Sequence, residues 1–373
     1  MNRRLTSIWK NSKAILFGII VALLICEIIL RIYNPFPFSI KKGKLILPAN
    51  QSKIFINKWI SKLDKKIYYS RNSLGFRGPE LPDTISDLKS ILTIGGSTTE
   101  CKFLSDSCTW PFLLSQSLKK EDPLVWLNNA GIDGHSTFGH ILLLNEYVLK
   151  LKPKFVLFLT GINDEEIDEP DEFDFMTEKR ITTNSFKGFL KSLLNQTELG
   201  RTAFNFYHVQ IAYKKGLIHR EININDLVEK DVADSVVYSR EALQSKYLIA
   251  YKQRIKILIE KCLHADITPI LITQPSLFGD FIDSTTKIRV GNRWVKNDNR
   301  PDNCMLEGKI LELYNDVLRS FGNNITVIDL ANEMPKKSEY YYDFIHFTNG
   351  GASKVSEILF NHLKPVILTN KLK

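Results

Sequence analysis

Two kinds of apolar pattern alternate along most of this chain. Short, nearly continuous runs rich in Val, Ile, Leu and Phe occupy residues 90–94, 124–127, 155–160, 268–273 and 325–330. Apolar runs of this length without polar alternation are the pattern of parallel strands buried on both faces. Between and after them, apolar residues recur at three- and four-residue steps, predicting helices over 110–119, 138–150, 243–264, 305–320 and 351–369. The clearest is Leu243, Tyr247, Leu248, Tyr251, Ile255, Leu258, Ile259 and Cys262, which keep to one helix face. Strand followed by helix, repeated along the chain, predicts an α/β fold: a three-layer, doubly wound parallel sheet of five strands with right-handed crossovers.

Two stretches break the rhythm. Residues 14–30 are apolar apart from one charge, Glu27, and their length is near the lower limit for crossing a hydrocarbon core of about 30 Å. Glu27 and Arg31 stand four apart, able to pair, and Trp9 and Tyr33 fall where interfacial aromatics belong. No small-x-small cleavage site follows, so residues 14–33 read as an uncleaved transmembrane anchor rather than a signal peptide or a buried core helix. The second break lies between the third strand and the helix at Leu243, a stretch too long for a connecting loop. It is expected to be an inserted helical cap at about 165–242, with a helix over 185–215. It opens with the acidic run Asp164–Asp174, whose spacing is not that of an EF-hand, so a solvated loop is preferred to a calcium site.

Charge sharpens this division. The chain of 373 residues carries a formal +9, which on its face fits a nucleic-acid binder. Residues 1–66, however, hold thirteen Lys and Arg against two acids, leaving 37 bases and 39 acids in the remainder. The main domain is therefore close to neutral, and a nucleic-acid surface on it is excluded. The basic flank at 1–13 favours a cytoplasmic N-terminus, residues 34–66 read as a basic stalk, and residues 67–373 as an extracytoplasmic domain, periplasmic or at the cell surface. The five cysteines include no C-x-x-C pair, so a zinc or thioredoxin-type site has no support; pairing or free thiols both stay open.

In open α/β sheets, sites form at the carboxyl ends of strands. After the first strand comes Gly95-Gly96-Ser97-Thr98-Thr99, a tight turn with a hydroxyl at the strand end; it lacks the Lys of a phosphate loop and is not a G-x-S-x-G elbow. After the second comes Asn129-Ala130-Gly131-Ile132-Asp133-Gly134, and after the third Gly161-Ile162-Asn163-Asp164. Past the fifth comes Asp343-Phe344-Ile345-His346. An Asp three residues before a His can accept from one ring nitrogen while the other faces a nucleophile, the orientation that activates a Ser hydroxyl. Each piece alone is weak; four of them, each after a different strand and in this order, form a pattern.

That pattern resembles the SGNH, or GDSL-type, hydrolase superfamily over about residues 72–368. Gly95-Gly96-Ser97 is similar to the first signature block, with Gly96 where the family has Asp. The resemblance implies a flavodoxin-like sheet and an acyl-transfer mechanism without metal or cofactor. It implies Ser97 as nucleophile, His346 as base, Asp343 as its partner, and an oxyanion hole made by Ser97, Gly134 and Asn163. Asn72–Gly78 and Thr273-Gln274-Pro275 resemble the membrane-anchored bacterial branch. The expected activity is hydrolysis of O-acyl, foremost acetyl, esters on an extracytoplasmic glycan; an O-acyltransferase, a lipid esterase and a non-catalytic binding module are the competing readings. The lipid reading draws on Phe186, Phe189, Phe204, Phe206 and Tyr207, which are equally a cap's own core. Remaining candidates are weaker. His135 and His140 could approach a metal with His346 but lack a placed acidic ligand; His208 and His219 read as ordinary surface or cap residues, and Arg293 and Trp294 as a solvent loop rather than a sugar contact. Asn50, Asn195 and Asn324 begin N-x-S/T sequons, which matter only in a eukaryotic secretory host.

Overall fold

The apolar runs assemble as parallel strands because the helices of their crossovers cover both faces of the sheet. The computed structural model describes residues 2–32, 39–41, 44–83, 85–168, 197–200, 202–203, 219–294 and 302–369. The chain divides into two units, residues 1–46 with 177–214, and residues 47–176 with 215–373.

In the smaller unit, helix α1 (Asn2–Ile32) contains the stretch Lys13–Ile32, with mean hydropathy 2.8 and none of it buried, which is long and apolar enough to cross a membrane. Glu27 and Arg31 pair at 2.8 Å across one helical turn, and the Glu27 carboxylate also accepts from the backbone N–H groups of Glu198 and Leu199. Strands β1 (Ser39–Lys41) and β2 (Lys44–Ile46) form a short antiparallel hairpin.

The larger unit begins with the antiparallel pair β3 (Gln51–Ile56) and β4 (Lys66–Arg71). Ile60 and Leu63 between them are buried in the main core, so this part of the expected stalk is built into the globular unit. There follow β5 (Lys89–Gly95), α2 (Ser97–Glu100), α3 (Trp110–Glu121), β6 (Val125–Asn129), α4 (Thr137–Leu143) and, after a π-turn over Leu144–Val148, α5 (Leu149–Leu151). Then come β7 (Phe155–Thr160), β8 (Val228–Glu229), α6 (Asp234–His264), β9 (Thr268–Thr273), β10 (Arg293–Trp294), α7 (Cys304–Arg319), β11 (Thr326–Ile328), α8 (Leu330–Glu333) and α9 (Asn349–Thr369).

Five strands form one parallel sheet in the order β6-β5-β7-β9-β11. Counted along the chain this is 2-1-3-4-5, the doubly wound flavodoxin-like order, with its switch point between β5 and β7. Helices α3 and α9 pack together on one face, while α4, α6 and α7 pack on the other. That is where right-handed crossovers put helices following the first and last strands versus the middle ones. Every residue of β5, β6 and β7 is buried, which explains their unbroken apolar patterns.

Three departures from the sequence expectations have physical causes. The helix expected from Leu243 starts nine residues earlier, at Asp234. Its first turns lie outside the continuous apolar stripe and are held by ion pairs, Arg240 bonding Asp302 at 2.9 Å. The single helix expected over 138–150 is interrupted by the π-turn. Strand β11 is shorter than 325–330, since Leu330 already opens α8. Most of the helix expected over 185–215, most of the cap, His208, Asn195 and the cap aromatics lie outside the described residues; of that helix only residues 197–200 and 202–203 are described.

Candidate active site

Four turns at the carboxyl edge of the sheet converge beside the switch point. The first is β5 to α2. Gly96 is the residue before α2, and Ser97, its first residue, is 6% exposed. An N–H at the first turn of a helix has no intrahelical acceptor. The C-terminal end of α2 is held from the Asn72–Gly78 segment: Arg77 donates to the carbonyls of Glu100, Cys101 and Leu104 and pairs with Asp106 at 2.7 Å. Trp110 Nε1 and Gln274 bond the backbone and hydroxyl of Thr98, at 3.0 and 3.1 Å. The residues flanking Ser97 are thus fixed by contacts from three separate segments.

The last turn carries Asp343 and His346. Asp343 Oδ1 accepts the backbone N–H groups of Ile345 at 2.8 Å and His346 at 2.7 Å, while Oδ2 lies 2.6 Å from His346 Nδ1. One carboxylate oxygen builds the turn and the other orients the imidazole, which is the physical reason for a three-residue spacing. Phe344 stacks on Phe278 with ring centroids 4.7 Å apart, anchoring the turn in the core. The other face of the relay is His346 Nε2, 2.7 Å from Ser97 Oγ. Ser97 and His346, 249 positions apart, are therefore in hydrogen-bond contact. Burial makes a charged His346 costly, and although Asp343 opposes this, its imidazole is held below the ordinary value. Burial works the other way on Asp343, but the imidazole and the two N–H donors outweigh it and hold the carboxyl below the usual carboxylate range.

The second and third turns flank Ser97. Gly134 has φ +76°, a left-handed conformation that favours glycine. The loop preceding it is pinned to α2: Glu100 Oε2 accepts the N–H of Asp133 at 2.7 Å, and Ile132 N–H bonds the Gly95 carbonyl at 3.0 Å. Asn163 lies in the turn after β7, its Nδ2 donating to the His135 carbonyl at 3.0 Å. The same nitrogen abuts Gly96, where a Cβ would stand 2.3 Å away. An aspartate at this position would need Asn163 to move.

The residues that sequence reasoning missed lie around this centre. His219 packs against His346 with ring centroids 4.1 Å apart, and bonds the Tyr342 hydroxyl at 2.6 Å and the Asp133 carboxylate at 3.3 Å. No local signal marks it, because its partners are some ninety and 120 residues away in sequence. Glu100 was also passed over. It is buried, pairs with Arg71 at 2.7 Å and accepts from the Tyr69 hydroxyl at 2.8 Å. An acid two residues past a strand-end Ser-Thr pair is the only hint the sequence offers.

The weaker candidates from the sequence each have a structural setting. His135 and His140 are buried with ring centroids 6.3 Å apart, and among the described residues they do not join His346 in a metal-like cluster. Burial holds both neutral, His140 being pushed down to about 3. His219, Asp343 and His346 do offer ligand atoms within 4.8 Å of one another, but both His346 nitrogens are engaged in the relay. The described part of the acidic run is largely ion-paired, with Asp168 still exposed. Asp164 is buried against Arg254 at 3.3 Å and accepts from Thr137, while Glu166 and Asp168 pair with Arg240 and Lys246. Arg293 and Trp294 form β10, which pairs with β8; Arg293 bonds Glu229 at 3.1 Å and Lys230 sits over the Trp294 ring. The five cysteines form no disulfide.

No family model and no curated protein matches the chain. Among solved structures it is similar to an acetylxylan esterase from Geobacillus stearothermophilus, at 13% identity and TM-score 0.39, covering 76% of this chain and 95% of that one. It is also similar to a GDSL-like lipase from Bacteroides thetaiotaomicron, at 13% identity and TM-score 0.37, covering 78% and 93%. A third is a G-D-S-L family lipolytic protein, described as putative, from Desulfitobacterium hafniense, at 15% identity and TM-score 0.37, covering 73% and 98%. These superpositions are partial, and the chemistry rests on the residues themselves.

Proposed function

We propose that this chain is a membrane-anchored serine esterase of the SGNH type, acting on O-acyl esters of an extracytoplasmic carbohydrate. The observation that carries the esterase reading is the unbroken relay from Ser97 Oγ to His346 Nε2 and from His346 Nδ1 to Asp343. Ser97 attacks the ester carbonyl, His346 takes its proton and returns it to the leaving alcohol, and Asp343 keeps the imidazole in the required tautomer. Water then repeats the cycle on the acyl-enzyme. The N–H groups of Ser97 and Gly134 and the Asn163 amide are the oxyanion donors in this reading, each of a kind whose loss typically costs about 2.7 to 4 kcal/mol. Burial supports a base role for His346, because it keeps the ring unprotonated at neutral pH. No metal or cofactor has a step in this cycle. The carbohydrate and the orientation rest on the motif resemblance and on the apolar helix α1 with its basic flank.

The test is hydrolysis of p-nitrophenyl acetate by the full chain in detergent, beside Ser97→Ala and His346→Ala. Each variant is expected to lose at least ~10³-fold in kcat. Equal background rates in all three proteins contradict the reading. Acetylated sugars, assayed with and without an acceptor glycan, then separate hydrolysis from transfer to a sugar hydroxyl.

A further inference from the structure

His219 sits where two halves of the site meet. Its Nε2 donates toward the Asp133 carboxylate, 3.3 Å away, and Asp133 immediately precedes Gly134. Its Nδ1 lies 2.6 Å from the hydroxyl of Tyr342, which immediately precedes Asp343. The Tyr342 ring lies nearly parallel to that of His346, at 9° with centroids 5.4 Å apart, and the His219 ring approaches the same imidazole at 4.1 Å. Phe103, just past α2, closes on His219 at 4.9 Å. The segment carrying His219 is itself fastened. Ile222 N–H bonds the Tyr342 carbonyl at 2.7 Å, and Lys62 Nζ bonds the carbonyls of Ile222, Ser338 and Tyr341. Glu221 accepts from the hydroxyl of Ser61 at 2.9 Å.

We propose that His219 is a positioning residue for the reaction: it straps the Asp133-Gly134 loop to the Tyr342–His346 turn and, with Tyr342 beside it, packs against the His346 ring that faces Ser97. The inference rests on the serine-esterase reading. A bridge of this kind sets the oxyanion loop and the acid–base turn as one unit, so that neither moves without the other. It also acts by charge. Burial alone disfavours a charged His219, but the Asp133 carboxylate, with Asp343 beyond it, outweighs that and raises its tendency to hold a proton. A cation at this position disfavours a second proton on His346. The charged and titratable groups facing the pair are Asp133 and Lys102 on the α2 side, and Tyr342 and Asp343 on the triad turn. Lys62 adds its charge near Asp343 from the N-terminal segment, and Glu100 with Arg71 stand behind Asp133.

The experiment uses the full chain in detergent, with His219→Ala, His219→Gln and Tyr342→Phe beside wild type and Ser97→Ala. It measures kcat, KM and the pH profile of kcat/KM on p-nitrophenyl acetate, and the rate of Ser97 labelling by a fluorophosphonate. His219→Ala is expected to lower kcat by about 10- to 100-fold with little change in KM. The acidic limb should move to higher pH, because His346 loses a neighbouring cation while Asp133 keeps its charge. His219→Gln should recover part of kcat through its hydrogen bonds while its acidic limb stays displaced, and it carries the test if His219→Ala does not fold. Tyr342→Phe should lower kcat with a smaller displacement of the limb. Unchanged kcat and an unchanged acidic limb in the His219 variants, with Ser97→Ala inactive, overturn the strap. A wild type that neither hydrolyses the ester nor labels at Ser97 overturns the esterase reading and the strap with it.

Discussion

At position 96 a hydrogen atom stands where a signature aspartate is expected, and the reason lies across the site. A Cβ there would come 2.3 Å from Asn163 Nδ2 and 3.3 Å from the His135 carbonyl. The glycine leaves room for the Asn163 amide beside Ser97. Under the proposed oxyanion role of Asn163, Gly96→Asp is expected to displace that amide and to lower kcat by about 10²- to 10³-fold. Asn163→Ala should reach the same range, and the double variant should lose little more than either single one. Full activity in Gly96→Asp contradicts this account of the position. At this scale the sequence is legible where the chemistry is local: Asp343 and His346 share one turn, so their spacing announces their contact. His219 is silent because its partners arrive from three other segments, and a histidine facing His346 has the same letter as one facing water.

Among the elements, α2 is only four residues long yet holds Ser97, so its support must come from outside. Much of that support is Glu100, which binds Arg71, the Tyr69 hydroxyl and the N–H of Asp133. The Glu100 and Arg71 side chains are 5% and 2% exposed, so removing one partner leaves a buried charge uncompensated. Glu100→Gln is expected to destabilise the fold by about 3 to 5 kcal/mol, measured as a shift in the denaturant midpoint; a loss under about 1 kcal/mol, the range of exposed pairs, contradicts the role. The apolar periodicities foretold the sheet strands and most helices because burial dictates both. They did not foretell the π-turn at Leu144–Val148 or the early start of α6, which depend on contacts and ion pairs that leave no periodic trace. Arg77 was legible only as part of the Asn72–Gly78 motif and Arg71 not at all, neither as a group that fastens α2.

For the whole molecule, the two-part charge pattern now has a physical setting: an apolar helix with a basic flank in one unit, and a near-neutral α/β unit carrying the relay in the other. Three histidines of that larger unit, His135, His140 and His346, are held neutral chiefly by burial. In the unfolded chain they take up protons near their ordinary value of 6.5. Between pH 6.5 and their lower folded values the unfolded state binds more protons, so stability falls as pH falls. His219 has the opposite sign: its folded value is raised, so its contribution is present at low pH and lost as pH rises through that value. Below pH 6.5 that contribution is already complete, so His219 does not offset the other three on the acid side. A loss on the order of 1 kcal/mol per pH unit is expected from each histidine that stays neutral between pH 6 and 5, and His140→Phe should remove one such share of the slope; a pH-independent midpoint contradicts it. The central claim is that Ser97 is an activated nucleophile, and its most direct test is to treat the full chain with a fluorophosphonate and locate the adduct by peptide mass. One equivalent on Ser97, absent in Ser97→Ala, slowed in His346→Ala and matched by loss of esterase activity, is the predicted result; no adduct on Ser97, or hydrolysis that persists after complete labelling, contradicts it.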